Sequence, residues 1–351
     1  MTLRIAFIGC GWWTTFAHLP AALADPGVQV VGISDNDETR LATVVARFEV
    51  ESSFADAREM LAAVECDIVV IASPNSTHFE YASLALEHGC HVLLEKPMVI
   101  DPVDGWKLVE IAERLALHLV VGYAIHYNAQ VARLRDEIAS GRLGELESVS
   151  SKYFSIVREL YRGNPRPYQE AHGYPVHAPA PATYTSNGSG GGQGQAQLTH
   201  AAALVFWTTG LRPVEVAAFT NNADVPVDLA DAVVMRFDNG SVGTISTTGG
   251  VGPTHDEKIE LSVFGREGHA FLDVLRGTCS IHDAAGVEML PTLAPGLRNP
   301  ERAPLNSLID LARGCGINQS PPRNGAMTAD FIAAMYRSAA ERQVISLIKE
   351  R

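Results

Sequence analysis

The sequence predicts an α/β chain: a doubly wound parallel-sheet domain, then an α+β domain with a large, mainly antiparallel sheet. Three observations carry that reading. Short apolar runs alternate with helical patterns through residue 121. A turn with two glycines joins the first run to the first helix. Beyond Gly122 the pattern changes to closely spaced strand segments joined by tight turns. The expected domains are residues 1–122 and 123–351, with the last helices free to pack back on the first domain.

In the first domain the expected strands are Arg4 to Ile8, Val28 to Ser34, Ile68 to Ala72, His91 to Leu94 and Leu119 to Val121. They are largely apolar, as strands buried on both faces are. Helices are expected at His18 to Leu23, Thr39 to Phe48, Asp56 to Val64, Phe79 to His88 (ending at Gly89) and Pro102 to Leu115. In the second domain a helix from about Gln130 to Ala139 precedes the Gly141-to-Gly144 turn and a strand over residues 146–155. An irregular stretch runs from about Arg158 to Gln195, followed by a helix from Gln197 to Thr209. Strand segments follow at Val214 to Thr220, Asp231 to Phe237, Ser241 to Thr247, Lys258 to Phe264, Gly268 to Asp273 and Thr278 to Asp283. Asp238-Asn239-Gly240 is a hairpin signal between two of them. Helices at Leu305 to Arg313 and Met327 to Glu341 close the chain.

With 351 residues and 46% hydrophobic content, the chain can bury a large core, which excludes general disorder. A balance of 27 basic against 40 acidic residues, net −13, repels phosphate backbones and anionic lipid, so neither nucleic acid nor membrane is an expected partner. No stretch approaches the ~20 apolar residues of a membrane span. The N-terminal residues Met1 to Gly9 read as a strand leading into a turn, not as a signal peptide. Five scattered cysteines without CxxC spacing suit free thiols in a reducing cytoplasm better than a disulfide scaffold or a zinc site.

Gly9-Cys10-Gly11-Trp12-Trp13-Thr14 leaves the first strand and opens a helix. The first glycine suits the tight turn and the second lets backbone approach a pyrophosphate, whose charge is favoured at a helix N-terminus. Trp12 and Trp13 fall in the same cofactor-binding turn. Thr14 stands where a dinucleotide fingerprint has its third glycine, so looser helix–strand packing is expected there. Asp35, 24 residues beyond Gly11 and at the end of the second strand, is placed to accept hydrogen bonds from an adenosine ribose. Its charge favours NAD, while Arg40 keeps NADP open. The first domain is therefore expected to be a Rossmann dinucleotide-binding domain.

Ser73-Pro74-Asn75-Ser76-Thr77-His78 follows the third strand, and Gly89-Cys90-His91-Val92-Leu93-Leu94-Glu95-Lys96-Pro97 follows the next helix. With Val121-Gly122-Tyr123, the Gly141–Gly144 turn, and His200 followed by Trp207 and Gly210, these segments resemble the glucose–fructose oxidoreductase/inositol dehydrogenase (Gfo/Idh/MocA) family. The resemblance covers nearly the whole chain and is thinnest over residues 154–195 and 284–325. It implies an NAD-dependent oxidoreductase acting on a secondary hydroxyl of a sugar, sugar derivative or cyclitol.

Residue by residue, the resemblance implies that Lys96 hydrogen-bonds the reacting hydroxyl. Its ordinary pKa of ~10.4 would be lowered by burial and by a cationic nicotinamide. His200 would be the second catalytic group. Ser73, Pro74, Asn75, His78, Glu95 and Pro97 would surround the cofactor with Lys96, Pro97 through a cis bond. Tyr123 and Gln197, with Arg158 of the following loop, are candidate substrate contacts; His126 reads either as a further contact or as an ordinary polar substitution. Ala196 stands where many family members carry an aspartate, and Gln197 cannot replace its charge. His126 stands where arginine is common. The resemblance further implies a homodimer or homotetramer formed through the exposed sheet face. An NAD-assisted glycosidase and a non-catalytic, NAD-binding sugar sensor stay open as other readings.

The stretch from Arg158 to Gln195 carries Tyr161, Arg166, Tyr168, His172, Tyr174, His177 and Tyr184, whose aromatic faces and polar tips suit a polyol or sugar. A flexible insertion or subunit-contact arm is the alternative. His172 and His177, five apart, match no metal motif, and no metal is expected.

Overall fold

The computed structural model describes residues 2–252 and 255–347. Contacts divide the chain into two compact units. Unit 1 comprises Met1–Gly122, Pro165–Thr183 and Glu301–Ala326; unit 2 comprises Tyr123–Asn164, Tyr184–Pro300 and Met327–Arg351.

Among the described residues, unit 1 holds six parallel strands: β1 (Leu3–Ile8), β2 (Val28–Ser34), β3 (Ser53–Phe54), β4 (Ile68–Ile71), β5 (His91–Leu94) and β6 (Leu119–Val121). Their order is β3-β2-β1-β4-β5-β6. This is the doubly wound dinucleotide-binding order, with its reversal between β1 and β4. Every residue of β4 and β6 is buried, because helices cover both faces. The helices start where acids cap them. Asp37 accepts the amide of Arg40, Asp56 those of Arg58 and Glu59, and Asp101 that of Val103 ahead of Pro102. Helix Ala303–Ala312 packs on β5 and β6, although it lies far along the chain.

The first helix departs from expectation. It opens as a wide i→i+5 turn over Thr14–His18 and only then becomes an α-helix over Leu19–Ala24. β3 has no counterpart among the expected strands; two residues beside a polar Glu51-Ser52 show no alternation to read.

Unit 2 is built on a mainly antiparallel sheet of β7 (Leu146–Phe154), β8 (Pro213–Asn221), β9 (Ala230–Phe237), β10 (Val242–Thr248), β11 (Lys258–Gly265), β12 (Gly268–Asp273), β13 (Thr278–Asp283), β14 (Gly286–Met289) and β15 (Ile345–Ser346). The order is β14-β13-β12-β11-β7-β10-β9-β8-β15, with β7 and β10 paired in parallel. Gly240, at φ +88°, closes the β9–β10 hairpin. Burial alternates along β9: Asp231, Val233, Met235 and Phe237 point inward, Val234 and Arg236 outward. Helices Ala129–Ala139 and Thr199–Thr209 join the inner face in one core, with Phe331, Ile332 and Met335 of the final helix. The other face leaves Phe219, Val234, Phe271, Val287 and Met289 exposed.

The stretch expected to be irregular contains short helices at Arg158–Tyr161, Arg166–His172 and Ala182–Thr185. The expected helix from Gln197 begins earlier, as a second wide turn over Gly194–Leu198, and continues as Thr199–Thr209. The last helix likewise begins earlier than expected, at Pro322.

Candidate active site

The cofactor-side residues expected from sequence gather at the carboxyl ends of β1, β2, β4 and β5 in unit 1. Gly9 has φ +89°, and a Cβ there would lie 2.6 Å from the Ser73 amide nitrogen and 2.7 Å from the Ala72 carbonyl oxygen. Only glycine fits. At Gly11 a Cβ would meet open space, the room that the close approach of a pyrophosphate requires. Thr14 stands at the start of the wide turn, where the fingerprint has its third glycine. It is buried, and its hydroxyl donates to the Gly9 carbonyl at 2.5 Å, while the Thr15 hydroxyl donates to that of Gly11 at 2.9 Å.

Asp35 is more occupied than its expected role suggested. Oδ1 accepts from the Asp37 amide and from Arg40 Nη1 at 2.9 and 3.0 Å; Oδ2 accepts from the Cys10 amide and from Arg40 Nη1 at 2.8 and 3.1 Å. With four hydrogen bonds the carboxylate has no acceptor position left over. Burial, with the same carboxylate charge beside it, pushes the Cys10 thiol above its usual range.

The two sequence motifs are tied together by His78. Its buried ring sits 2.9 Å from the Pro97 carbonyl and 3.0 Å from that of Ser73. Burial pushes its pKa down, and a neutral ring can donate to only one of the two carbonyls. Ser73 also meets the Thr77 hydroxyl at 2.7 Å, closing the short turn that holds Pro74 and Asn75. Glu95 Oε1 lies 2.8 Å from His18 Nε2, and Oε2 accepts the Lys96 amide at 3.1 Å. A Cβ on Gly122 would lie 2.5 Å from Glu95 Oε1, so glycine there makes room for the carboxylate. The Lys96–Pro97 peptide is cis. Burial pushes the Lys96 ammonium below its ordinary pKa, and Glu95 opposes that shift. His18 was not singled out in the sequence; its place nine residues beyond Gly9 in the first helix was the available signal.

The aromatic residues expected to meet a sugar divide between the units. Pro165–Thr183 belongs to unit 1. Tyr174 stacks on Trp12 at 4.7 Å and 10°, Tyr168 lies 5.9 Å from the same ring, and Trp12 Nε1 donates to the Val176 carbonyl at 3.0 Å. His172 stacks on Tyr174, and His177 meets Asp37 at 2.8 Å. These side chains therefore pack over the glycine turn and the end of β2. Trp13 lies against Phe16.

In unit 2, His200 stacks on Tyr153 at 5.5 Å and meets Tyr123 edge-on at 6.0 Å. The Tyr123 hydroxyl shares a 2.8 Å hydrogen bond with Thr199, and its ring lies 5.3 Å from His126. His126 stacks on Trp207, over which Arg135 places its guanidinium at 3.7 Å. Tyr123, His126 and His200 thus form one cluster, with Gln197 buried one helical turn before His200. Tyr153 is a member that sequence reasoning missed. Arg158 is instead ion-paired with Asp224, beside Arg162. Lys96 lies in unit 1 and His200 in unit 2. Among the described residues no group of three or more His, Cys, Asp or Glu side chains could hold a metal ion.

Residues 3–123 match the model of an oxidoreductase family with an NAD-binding Rossmann fold, and residues 131–271 match the GFO/IDH/MocA C-terminal domain. The chain is 29% identical to D-glucoside 3-dehydrogenase of Escherichia coli (strain K12) over 160 residues, 46% of this chain and 44% of that protein. It is 26% identical to 1-carboxy-3-chloro-3,4-dihydroxycyclo hexa-1,5-diene dehydrogenase of Comamonas testosteroni over 249 residues, 70% of this chain and 58% of that one. The chain thus spans about half the length of the curated relatives it matches. Among solved structures it resembles levoglucosan dehydrogenase in complex with NADH and levoglucosan, with a TM-score of 0.82 and 20% identity over 99% of this chain and 100% of that one. It also resembles GenD2 from gentamicin A biosynthesis in complex with NAD, with a TM-score of 0.80 and 21% identity over 99% and 97%. At these identities the likeness shows the fold.

Proposed function

The chain belongs to the GFO/IDH/MocA oxidoreductase family, and from that premise we propose that it is an NAD-dependent dehydrogenase. It would move a hydride between the nicotinamide and a secondary hydroxyl of a sugar, sugar derivative or cyclitol. The observation that carries this is the Glu95–Lys96–Pro97 segment: a lysine loosened from its proton by burial, next to a carboxylate that His18 ties to the helix opened by the glycine turn.

The residues present fit the cofactor. Gly9 and Gly11 shape the pyrophosphate turn, Asp35 with Arg40 stands at the ribose end, and His78 holds the Ser73–Asn75 and Lys96–Pro97 loops in register. When bound, the nicotinamide supplies the hydride acceptor. Lys96 Nζ would take the hydroxyl proton as the carbinol is oxidised, and a lowered pKa makes its neutral amine available nearer to neutral pH. His200, held by the Tyr153 and Tyr123 rings, would orient the hydroxyl. Gln197 adds an amide and no charge. Because Asp35 is bound to Arg40, NADP binding would need Arg40 to turn toward a 2′-phosphate.

The outer sheet face, with Phe219 80% and Met289 65% exposed, supports pairing with a second copy, which sedimentation at micromolar concentration tests. A monomer there refutes it. Five free thiols support the cytoplasm as the working compartment. Among the described residues no helix is long and apolar enough to cross a membrane.

The functional test is a panel of sugars, glycosides and cyclitols with NAD, read by absorbance of the reduced cofactor. Stoichiometric reduction with at least one supports the reading. Release of an aglycone without net reduction, or NAD binding without turnover on any member, overturns it.

A further inference from the structure

The proposed reaction gives no task to two buried carboxyl groups at the root of the His200 helix. Asp228 and Asp231 are 2% and 3% exposed. Asp228 Oδ2 accepts the Gly194 amide at 2.6 Å, Oδ1 accepts the Tyr336 hydroxyl at 2.9 Å, and the Asp228 carbonyl accepts the Gln193 amide at 2.9 Å. Gly194 is the first residue of the wide turn that runs into helix Thr199–Thr209. One carboxylate therefore fixes the start of the segment that carries Gln197 and His200. The glycines around it make this approach feasible. A Cβ on Gly192, at φ +99°, would collide with Asp228 Oδ1, and one on Gly194 would lie 2.5 Å from the Tyr336 hydroxyl.

Asp231 enters from the inner face of β9. Its Oδ2 accepts the Thr247 hydroxyl at 3.1 Å, while its buried Oδ1 has no hydrogen-bond partner. Two anionic carboxylates side by side in an apolar core are costly, and one proton held between them removes the cost. The donors are unequally shared: an amide and a phenol favour the anion on Asp228, so the proton belongs on Asp231. Burial and the Asp228 charge push Asp231 up to about 8. Gln193, whose amide the Asp228 carbonyl accepts, also accepts the Tyr161 hydroxyl at 3.4 Å. Tyr336 is itself pushed well above the usual phenol range by burial and by both carboxyls.

We propose that Asp228 and Asp231 form a one-proton carboxyl pair that anchors the Gly194–Thr209 segment, which makes Asp228 a positioning residue for Gln197 and His200. The catalytic consequence rests on the role proposed for His200; the pair itself does not. While Asp231 keeps its proton, Asp228 holds the Gly194 amide. When Asp231 ionises, the two charges repel and that hold loosens.

The test is a carboxyl-carbon NMR titration of the full chain labelled at aspartate, from about pH 5 to about pH 10. It is run on wild type, Asp231→Asn and Asp228→Asn, with the His200 ring resonance and the turnover of any sugar found by the panel recorded alongside. The expected wild type shows one aspartate titrating far above the ordinary carboxylate range. That titration is absent in Asp231→Asn, and Asp228→Asn draws it down. Asp228→Asn moves the His200 ring signal and lowers kcat by ~10- to 100-fold with KM little changed. Asp231→Asn mimics the protonated partner, so it keeps turnover and abolishes its alkaline decline. No aspartate titrating above about 6, or a His200 signal unmoved by Asp228→Asn, overturns the proposal. If Asp228→Asn does not fold, Asp231→Asn still decides: an alkaline decline identical to wild type refutes the anchor. If no sugar is turned over, the dehydrogenase reading fails, while the NMR arms still decide the pair.

Discussion

Replacing Arg40 by methionine tests how the ribose end of the site is held. Arg40 Nη1 reaches both oxygens of Asp35, at 3.0 and 3.1 Å, with the side chains 10% and 4% exposed. At ~3 Å and an effective dielectric of ~20 the attraction is about 5 kcal/mol before desolvation is charged against it. Removing one partner of a buried pair generally costs ~3–5 kcal/mol, because the remaining charge stays buried. Here Asp35 keeps the amides of Cys10 and Asp37, which places Arg40→Met at the low end, about 3 kcal/mol. Helix propensity changes little between arginine and methionine. The assay is urea unfolding followed by tryptophan fluorescence, since Trp12, Trp13 and Trp106 all lie in unit 1. The midpoint should fall with the slope unchanged. NAD affinity should not fall, because two acceptor positions on Asp35 are released. A change within ~0.5 kcal/mol would refute the reasoning, since that is the behaviour of a solvated surface pair.

Further outcomes follow from the same geometry. Gly9→Ala forces a Cβ into the Ala72–Ser73 backbone at φ +89°; it should abolish NAD binding in equilibrium dialysis and destabilise by more than ~2 kcal/mol. Trp12→Ala removes the Tyr174 stack and the Val176 hydrogen bond, so limited proteolysis should cut within Pro165–Thr183 while wild type resists. Lys96 has its folded pKa below its unfolded one, so the unfolded state binds more protons and the lysine's own contribution to stability rises with pH up to ~10.4; in chemical denaturation the difference between wild type and Lys96→Met should shift in favour of wild type over that range. Asp231 has the opposite sign among acids: its folded pKa, about 8, lies above its unfolded value. Its own contribution to stability should therefore fall as pH rises from ~4 toward that value, so the stability difference between wild type and Asp231→Asn should shift against wild type over that range.

The parallel sheet was legible because its signals are local: apolar runs of a few residues, a glycine turn, caps such as Asp56 and Asp101. β3, β14 and β15 were not, being segments of two to four residues at or near sheet edges with no pattern of their own. At the site, residue types were readable and their partners were not. Asp35 stood out at a strand end, but the hold of Arg40 on both its oxygens is a matter of rotamers. Tyr168 and Tyr174 read as sugar-facing aromatics because their partner, Trp12, lies more than 150 residues earlier. Asp231 did leave a trace: it occupies an inward position in the alternation of β9, where an acid needs a reason.

The central claim, hydride transfer from a carbohydrate carbinol with Lys96 as the proton acceptor, is tested most directly by isotope. A sugar active in the panel is deuterated at the carbinol carbon and incubated with NAD and either wild type or Lys96→Met, and the reduced cofactor is weighed by mass spectrometry. Wild type should place the deuterium in the reduced cofactor, and Lys96→Met should bind NAD normally yet form it ~100-fold or more slowly. Deuterium lost to water, or undiminished transfer by Lys96→Met, would contradict the account.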